Sequence, residues 1–295
     1  MTQTRPEIAG FHDPRTGSIQ YVVSDPGSGR AAVIDPVLDF DPASGSTATR
    51  SAEALLAYLA AKGLALDWII DTHPHADHFS AAGYLQERTG KPIVTGGRVV
   101  EVQALWKRIY NFPMDFATDG SQWDRLLEEG ESLPLGGLSL TAMHSPGHTL
   151  ASMTLTCGDA AFIHDTLFMP DSGSARADFP GGSASALWQS IQRIMALPAA
   201  TRLFTGHDYM PKGRAAVWES SVAEQRATNV HLVKASCEAE FVAIREARDR
   251  TLPMPKLILA ALQVNIAGGR LPEPEASGQR FLKIPLNGLP GAVWG

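Results

Sequence analysis

Seven residues with metal-binding side chains stand out along the chain: His73, His75, Asp77, His78, His148, Asp165 and His207. The first four arrive together in THPHADH at 72–78, directly after the apolar, β-favouring run at 67–71, which places them on the loop leaving a buried strand. Neutral imidazole and carboxylate suit zinc, iron and manganese, and with no thiolate close by the set does not read as a structural zinc finger. A lone loop histidine is ordinarily a surface residue or one satisfied in the core. Four ligand-type side chains in so short a span would crowd like charges and unpaired donors together unless a cation joined them.

The other three ligands follow the same geometry. His148 lies in HSPGHT, after the alternating run at 138–143 and beside a Pro-Gly turn; Asp165 ends the run at 160–165, and His207 ends the run at 202–207. Each sits where a strand gives way to a loop, the usual place for chemistry on a rigid scaffold. Strand ends converging on one edge of a sheet sandwich would bring all seven side chains to one point.

HPHADH at 73–78, SPGHT at 145–149, HDTLF at 164–168 and GHDY at 206–209 together resemble the metallo-β-lactamase superfamily, whose signature is HxHxDH followed by three later ligands. The resemblance implies an α/β fold, an αββα sandwich with the metal site at one edge between two facing sheets. A finer resemblance is carried by DSGSARADFPGG at 171–182, a helix around 186–191, LPAATRLFTGHDY at 197–209 and LKIPLN at 282–287. This pattern is similar to that of the persulfide dioxygenases, the bacterial kind in particular.

That likeness implies one Fe(II) per chain, held by His73, His148 and Asp165 as a two-histidine, one-carboxylate triad with three positions left open for a persulfide sulfur and O2. His75, Asp77, His78 and His207 would then surround the ion and orient ligands or water. Arg176 would grip the glutathionyl part of glutathione persulfide, and Tyr209 would add a hydroxyl contact near the iron. Alternatively, Arg176 pairs with Asp178 or Asp171 and braces its loop. Hydrolytic members of the superfamily, such as glyoxalase II, instead hold two metals, with Asp165 bridging and Asp77, His78 and His207 on the second ion. All seven positions are present, so spacing leaves a dinuclear zinc hydrolase of thioesters or lactones open beside the iron dioxygenase.

The remaining histidines, His12, His144, His164 and His231, read as structural or surface residues, and the tryptophans, Trp294 included, as packing residues. The 295-residue chain is 44% hydrophobic and 19% charged, the balance of a folded enzyme of one large domain or a domain with an extension. A net charge of −6 argues against a phosphate-binding face and hence against a nucleic-acid partner. Two cysteines, Cys157 and Cys237, predict no disulfide framework and a reducing compartment. The opening MTQTRPEIAG lacks the apolar core of a secretory signal, and no apolar run approaches the ~20 residues of a membrane span. The expectation is a cytoplasmic protein without membrane contact, as monomer or homo-oligomer.

The expected organisation is a metallo-β-lactamase-like domain at 1–213 and a mainly helical extension at 214–295 packed on it. Within these, residues 18–35 predict a strand pair; 52–62, 79–88 and 99–110 predict helices; and 111–122 predicts a loop reaching over the site edge. Residues 214–250 read as one or two helices, and 255–267 as another.

Overall fold

The computed structural model describes residues 5–289, so the outer ends of both expected units, and Trp294, lie outside the described residues. β1 (Glu7–His12), β2 (Ile19–Ser24) and β3 (Arg30–Ile34) form an antiparallel meander, and β2 and β3 are the strand pair expected at 18–35. A hairpin of β4 (Val37–Asp41) and β5 (Ser46–Ala48) leads into α1 (Arg50–Lys62), followed by β6 (Ala65–Ile70). Then come β7 (Phe79–Ser80), α2 (Ala82–Thr89), β8 (Ile93–Gly96), α3 (Val99–Tyr110) and β9 (Arg125–Leu127). The helix expected from 79 begins only at Ala82, because Phe79 and Ser80 are drawn into pairing with β4.

The second half runs β10 (Ser132–Leu135), β11 (Leu138–His144), β12 (Met153–Cys157), β13 (Ala160–His164), α4 (Ala184–Met195) and β14 (Arg202–Thr205). It continues through β15 (Glu219–Ser221), α5 (Val222–Thr228), α6 (Glu238–Asp249) and α7 (Ile258–Asn265). One six-stranded sheet has the order β1-β2-β3-β6-β8-β9 and the other β10-β11-β12-β13-β14-β15.

Period-two alternation explains why the sheets stack. Ile19, Tyr21 and Val23 of β2, with Ala32 and Ile34 of β3, face Leu140, Leu155, Phe162 and Phe204 of the second sheet in one buried layer. The intervening Val22, Ala31 and Val33 point outward onto Leu55, Leu59, Leu85, Trp106 and Leu262 of the helices on that side. Ala161, Ile163 and Leu203 do the same against Leu187, Ile191, Ile194 and Phe241 on the other. Burial of each large side chain contributes roughly 1.5–3 kcal/mol, and a one-residue slip of β2 would reverse both faces at once, so the register is strongly fixed. The result is the expected αββα sandwich.

Two expectations need correction. The stretch after 213 opens with a strand: β15 pairs antiparallel with β14 and completes the second sheet before the helices begin. The short polar run Glu219-Ser220-Ser221 carries almost no apolar signal of its own, so only the waiting edge of β14 makes it a strand. The loop at 111–122 does not reach over the site. Phe112 and Phe116 pack on the α1–α3 side, Lys107 Nζ donates to Met114 O and Phe116 O at 2.7 and 2.6 Å, and none of these loop residues lines the cavity described below.

Candidate metal centre

The loop after β6 is anchored before it carries any chemistry. Asp35, just beyond β3, accepts from the Thr72 backbone N–H at 2.7 Å and from its hydroxyl at 2.8 Å, which fixes where the ligand run begins. At the other end Asn265 of α7 donates its amide Nδ2 to the carbonyls of His75 and His78, both at 2.8 Å, and accepts from Ser80 N. Sequence reading found no functional residue in the C-terminal extension. Asn265 is one, visible only once α7 is placed against β7.

His148 is positioned by the turn before β12. Its Nδ1 donates to the Arg176 carbonyl at 2.9 Å, which leaves Nε2 as the free lone pair. The turn requires Gly147: its φ is +136°, and a Cβ there would lie 2.3 Å from the backbone of Leu187 in α4. Asp165 is aimed by a bulge at the end of β13, where the register with β14 shifts between Phe162 and His164 and His164 takes φ +36°.

These elements bring the seven predicted residues to one end of the sandwich. A ligand atom from each of His73, His148 and Asp165 lies within 4.8 Å of the other two. The same spacing holds for Asp77, Asp165 and His207, and for His75, Asp77 and His78. The fit to a cation is tested by the buried nitrogens: Nε2 of His73, both ring nitrogens of His75 and Nε2 of His78 have no hydrogen-bond partner. Orphaned buried polar atoms are costly and rare in folded proteins, and a cation held with His148 and Asp165 is a partner that His73 Nε2 could take. Burial, aided by the neighbouring His75 and His148, holds His73 well below its ordinary pKa, so it is the neutral form a metal needs.

The outer residues behave differently. Burial opposes charge on His207, but the carboxylates of Asp165 and Asp77 outweigh it and hold its pKa well above the ordinary value. Its Nδ1 lies 2.6 Å from Asp165 Oδ1 and its Nε2 2.6 Å from Asp77 Oδ2. Asp77 and Asp165 are pushed up by burial, yet His207 pulls both below the usual carboxylate range. In the middle of this set sits a residue that sequence reasoning missed. Ser18 Oγ is 2.7 Å from Asp77 Oδ2, 3.1 Å from His78 Nδ1 and 3.0 Å from His207 Nε2. Ser18 reaches them because it bridges to His207 in antiparallel fashion just before β2. His75 is drawn aside, its Nε2 3.1 Å from Asp35 Oδ1 but off hydrogen-bond alignment.

A cavity of about 480 Å³ opens from Asp77, His148 and Asp165 and is lined further out by Phe168, Arg176, Phe179, Tyr209, His231 and Arg248, among others. Tyr209 stacks on His207, with ring centroids 5.6 Å apart and planes 10° off parallel. Arg176 makes the Asp178 pair that was one of its two expected roles, through Nε at 2.7 Å and Nη2 at 2.8 Å, and its Nη1 donates to Pro253 O. Asp171, the other expected partner, is held instead by Arg214, which also clamps the buried Asp208. Arg176 lines the cavity even so. His164 is buried, its Nε2 is 2.8 Å from Ser145 Oγ, and burial pushes its pKa down to about 3. Cys157 is buried in β12 with its thiol pushed up to about 11 by burial, so it is not poised as a nucleophile, and Cys237 is exposed. Among the described residues no helix is long and apolar enough to cross a membrane.

The chain is similar to known proteins in sequence and in fold. The chain is 62% identical over 289 residues to a beta-lactamase hydrolase-like protein of Xylella fastidiosa (strain Temecula1), covering 98% of this chain and 67% of that one. It is 31% identical over 260 residues to the human mitochondrial persulfide dioxygenase ETHE1, covering 87% of this chain and 86% of the human protein. The crystal structure of ETHE1 from Myxococcus xanthus superposes with a TM-score of 0.71 at 31% identity, over 90% of this chain and all (100%) of that one. Residues 20–207, which run from β2 to the last ligand-type histidine, match the metallo-beta-lactamase superfamily. With its two facing sheets and its histidines and aspartates gathered at their edge, the chain belongs to the metallo-beta-lactamase superfamily.

Proposed function

We propose that this protein is a mononuclear iron(II) persulfide dioxygenase acting on glutathione persulfide or a similar low-molecular-weight persulfide. The overall change would be RSSH + O2 + H2O → RSH + SO3²⁻ + 2H⁺, in which sulfur gives up four electrons and O2 takes them. His73, His148 and Asp165 would hold the iron, which when bound supplies the redox chemistry that lets sulfur and O2 react. The chain's own residues then bind and orient: Phe168, Phe179 and Tyr209 wall the cavity, Asp178 and Pro253 O hold Arg176 beside it, and the hydrogen bond from His148 Nδ1 to Arg176 O fixes that ring.

The observation that carries the one-ion reading is Ser18. Its hydroxyl stands among Asp77, His78 and His207, the residues a second ion would need, and ties Asp77 Oδ2, His78 Nδ1 and His207 Nε2 together, while His78 Nε2 stays unpartnered. His73 Nε2 is likewise buried with no partner, and it belongs to the set formed with His148 and Asp165. The likeness to persulfide dioxygenase ETHE1 over most of the chain supports the same reading.

A dinuclear zinc hydrolase is the rival reading, favoured by the second cluster of Asp77, Asp165 and His207 and by the hydrolase-like relative. Metal analysis combined with oxygen uptake separates the two. Protein reconstituted with Fe(II) should bind one iron per chain, consume O2 and release sulfite from glutathione persulfide. Two zinc ions per chain with thioester turnover and no gas uptake would replace this proposal with the hydrolase. His148→Ala should abolish iron binding and turnover together.

A further inference from the structure

A second, much smaller void lies behind the metal loop, on the helix side of the sandwich. Val102 and Trp106 of α3 and Ile258 and Leu262 of α7 form its outer side, and Pro74 and Ala76 of the metal loop form its inner side. All six are buried. There is room for one water-sized molecule, whose centre has about 10 Å³ in which to move. Voids even this large are few in a packed domain. Of the nine residues that line it, only Trp106 and Thr149 carry a polar side-chain atom, and the Thr149 hydroxyl is already bonded to Ser152 Oγ at 2.9 Å. A trapped water needs about two to four polar partners and would find too few among these side chains. An apolar diatomic gas has no hydrogen bonds to lose there, and dispersion contacts with the walls suffice to hold it.

The position of the void gives it a use. Pro74 stands between His73 and His75, and Ala76 and Phe179 line both this void and the large cavity, so those two side chains form a shared wall. The Phe179 ring centroid lies 5.1 Å from that of His148, and Arg176 Cζ stands 4.8 Å from the same centroid. Arg176 is itself held by Asp178 and Pro253 O, so the ring that separates the two spaces is braced in place beside a residue of the metal end. A persulfide entering through the large cavity fills the approach on that side. O2 then requires another way in.

We infer that this void is a binding site for an apolar gas and serves as an antechamber for O2, which enters from the α3–α7 side and passes the Ala76–Phe179 wall to the metal end. The persulfide uses the large cavity, so the two substrates arrive by separate routes. The delivery role rests on the dioxygenase reading; the capacity to hold gas rests on the lining alone.

The test uses krypton, an apolar atom close to O2 in size, pressurised into crystals of the protein with and without iron. Anomalous scattering should place krypton between Val102, Phe179 and Leu262 in both. Val102→Ile adds one methyl group to a void with room for little more, so it should abolish that peak at small cost to folding. Val102→Ala widens the void and should strengthen the peak. In the iron-loaded enzyme Val102→Ile should lower kcat/KM for O2 roughly threefold or more while kcat/KM for the persulfide, measured at saturating O2, stays at the wild-type value. Val102→Ala should not lower the efficiency toward O2. No krypton in the wild-type void, a peak that survives Val102→Ile, or equal losses toward both substrates overturns the inference. Krypton bound as expected in a protein that takes up no O2 would sink the dioxygenase reading and the delivery role with it, and leave the gas site standing.

Discussion

Replacing Ser18 with alanine removes one oxygen from the centre of the outer ligand set. That oxygen contacts Asp77 Oδ2 at 2.7 Å, His78 Nδ1 at 3.1 Å and His207 Nε2 at 3.0 Å. A buried polar group left without a partner costs about 1–3 kcal/mol. The upper end does not apply, because Asp77 and His207 still hold each other at 2.6 Å. The loss should therefore be about 1–2 kcal/mol, which for a domain of this size lowers Tm by about 2–8 °C. The variant also empties the position among Asp77, His78 and His207, so a second ion gains a place to bind. In chelator-treated samples Ser18→Ala should melt below the wild type. In excess zinc it should take up close to two ions per chain where the wild type takes one, and its Tm should recover as the bound ion stabilises the folded state. Thermal melts with and without zinc, paired with elemental analysis, read both effects. A wild type that already binds two ions under these conditions would refute the argument, as would a variant that still binds one.

Further outcomes follow from the same geometry. Gly147→Ala forces a side chain onto the backbone of Leu187 at a φ of +136°, and should cost about 3 kcal/mol or more while displacing His148; a variant with wild-type Tm and iron content would show that the turn is more tolerant than described. Arg176→Ala removes the Asp178 pair and the Pro253 contact together, so it should lower Tm and also raise KM for the persulfide; a change in KM alone would return Arg176 to a purely substrate-gripping role. Burial, and then the nearby Arg245, Lys234 and Arg248, push the pKa of His231 down to about 4 from an ordinary value near 6.5. Between those values the unfolded chain binds a proton that the folded chain refuses. The contribution of His231 to stability is therefore complete above about pH 6.5 and is lost as pH falls toward 4. His231→Gln should flatten that limb of the Tm–pH curve, and parallel curves for variant and wild type would exclude the effect.

The seven ligand-type residues were legible because each lies within a residue or a few of a strand whose apolar alternation marks it, and because a dense histidine–aspartate run has few uses without a cation. The fold was legible for the same reason: Ile19, Tyr21 and Val23 alternate with Val22, and a strand with two apolar faces requires layers on both sides. The sequence could also nominate Arg176, but it could not choose between Asp178, Asp171 and a substrate. The structure gives Asp178 to Arg176 and Asp171 to Arg214. Nothing local marked Ser18, a serine after a glycine near a strand start, as belonging beside a histidine 189 positions away. Asn265 was equally silent, since its role is to hold two carbonyls of a loop on which its own helix happens to pack. Periodicity and ligand chemistry are carried by neighbours along the chain, so the sequence determined which residues would meet at the sheet edge. Which of them are satisfied by protein and which remain open to an ion depends on contacts between distant strands and helices, and only the tertiary structure decided that.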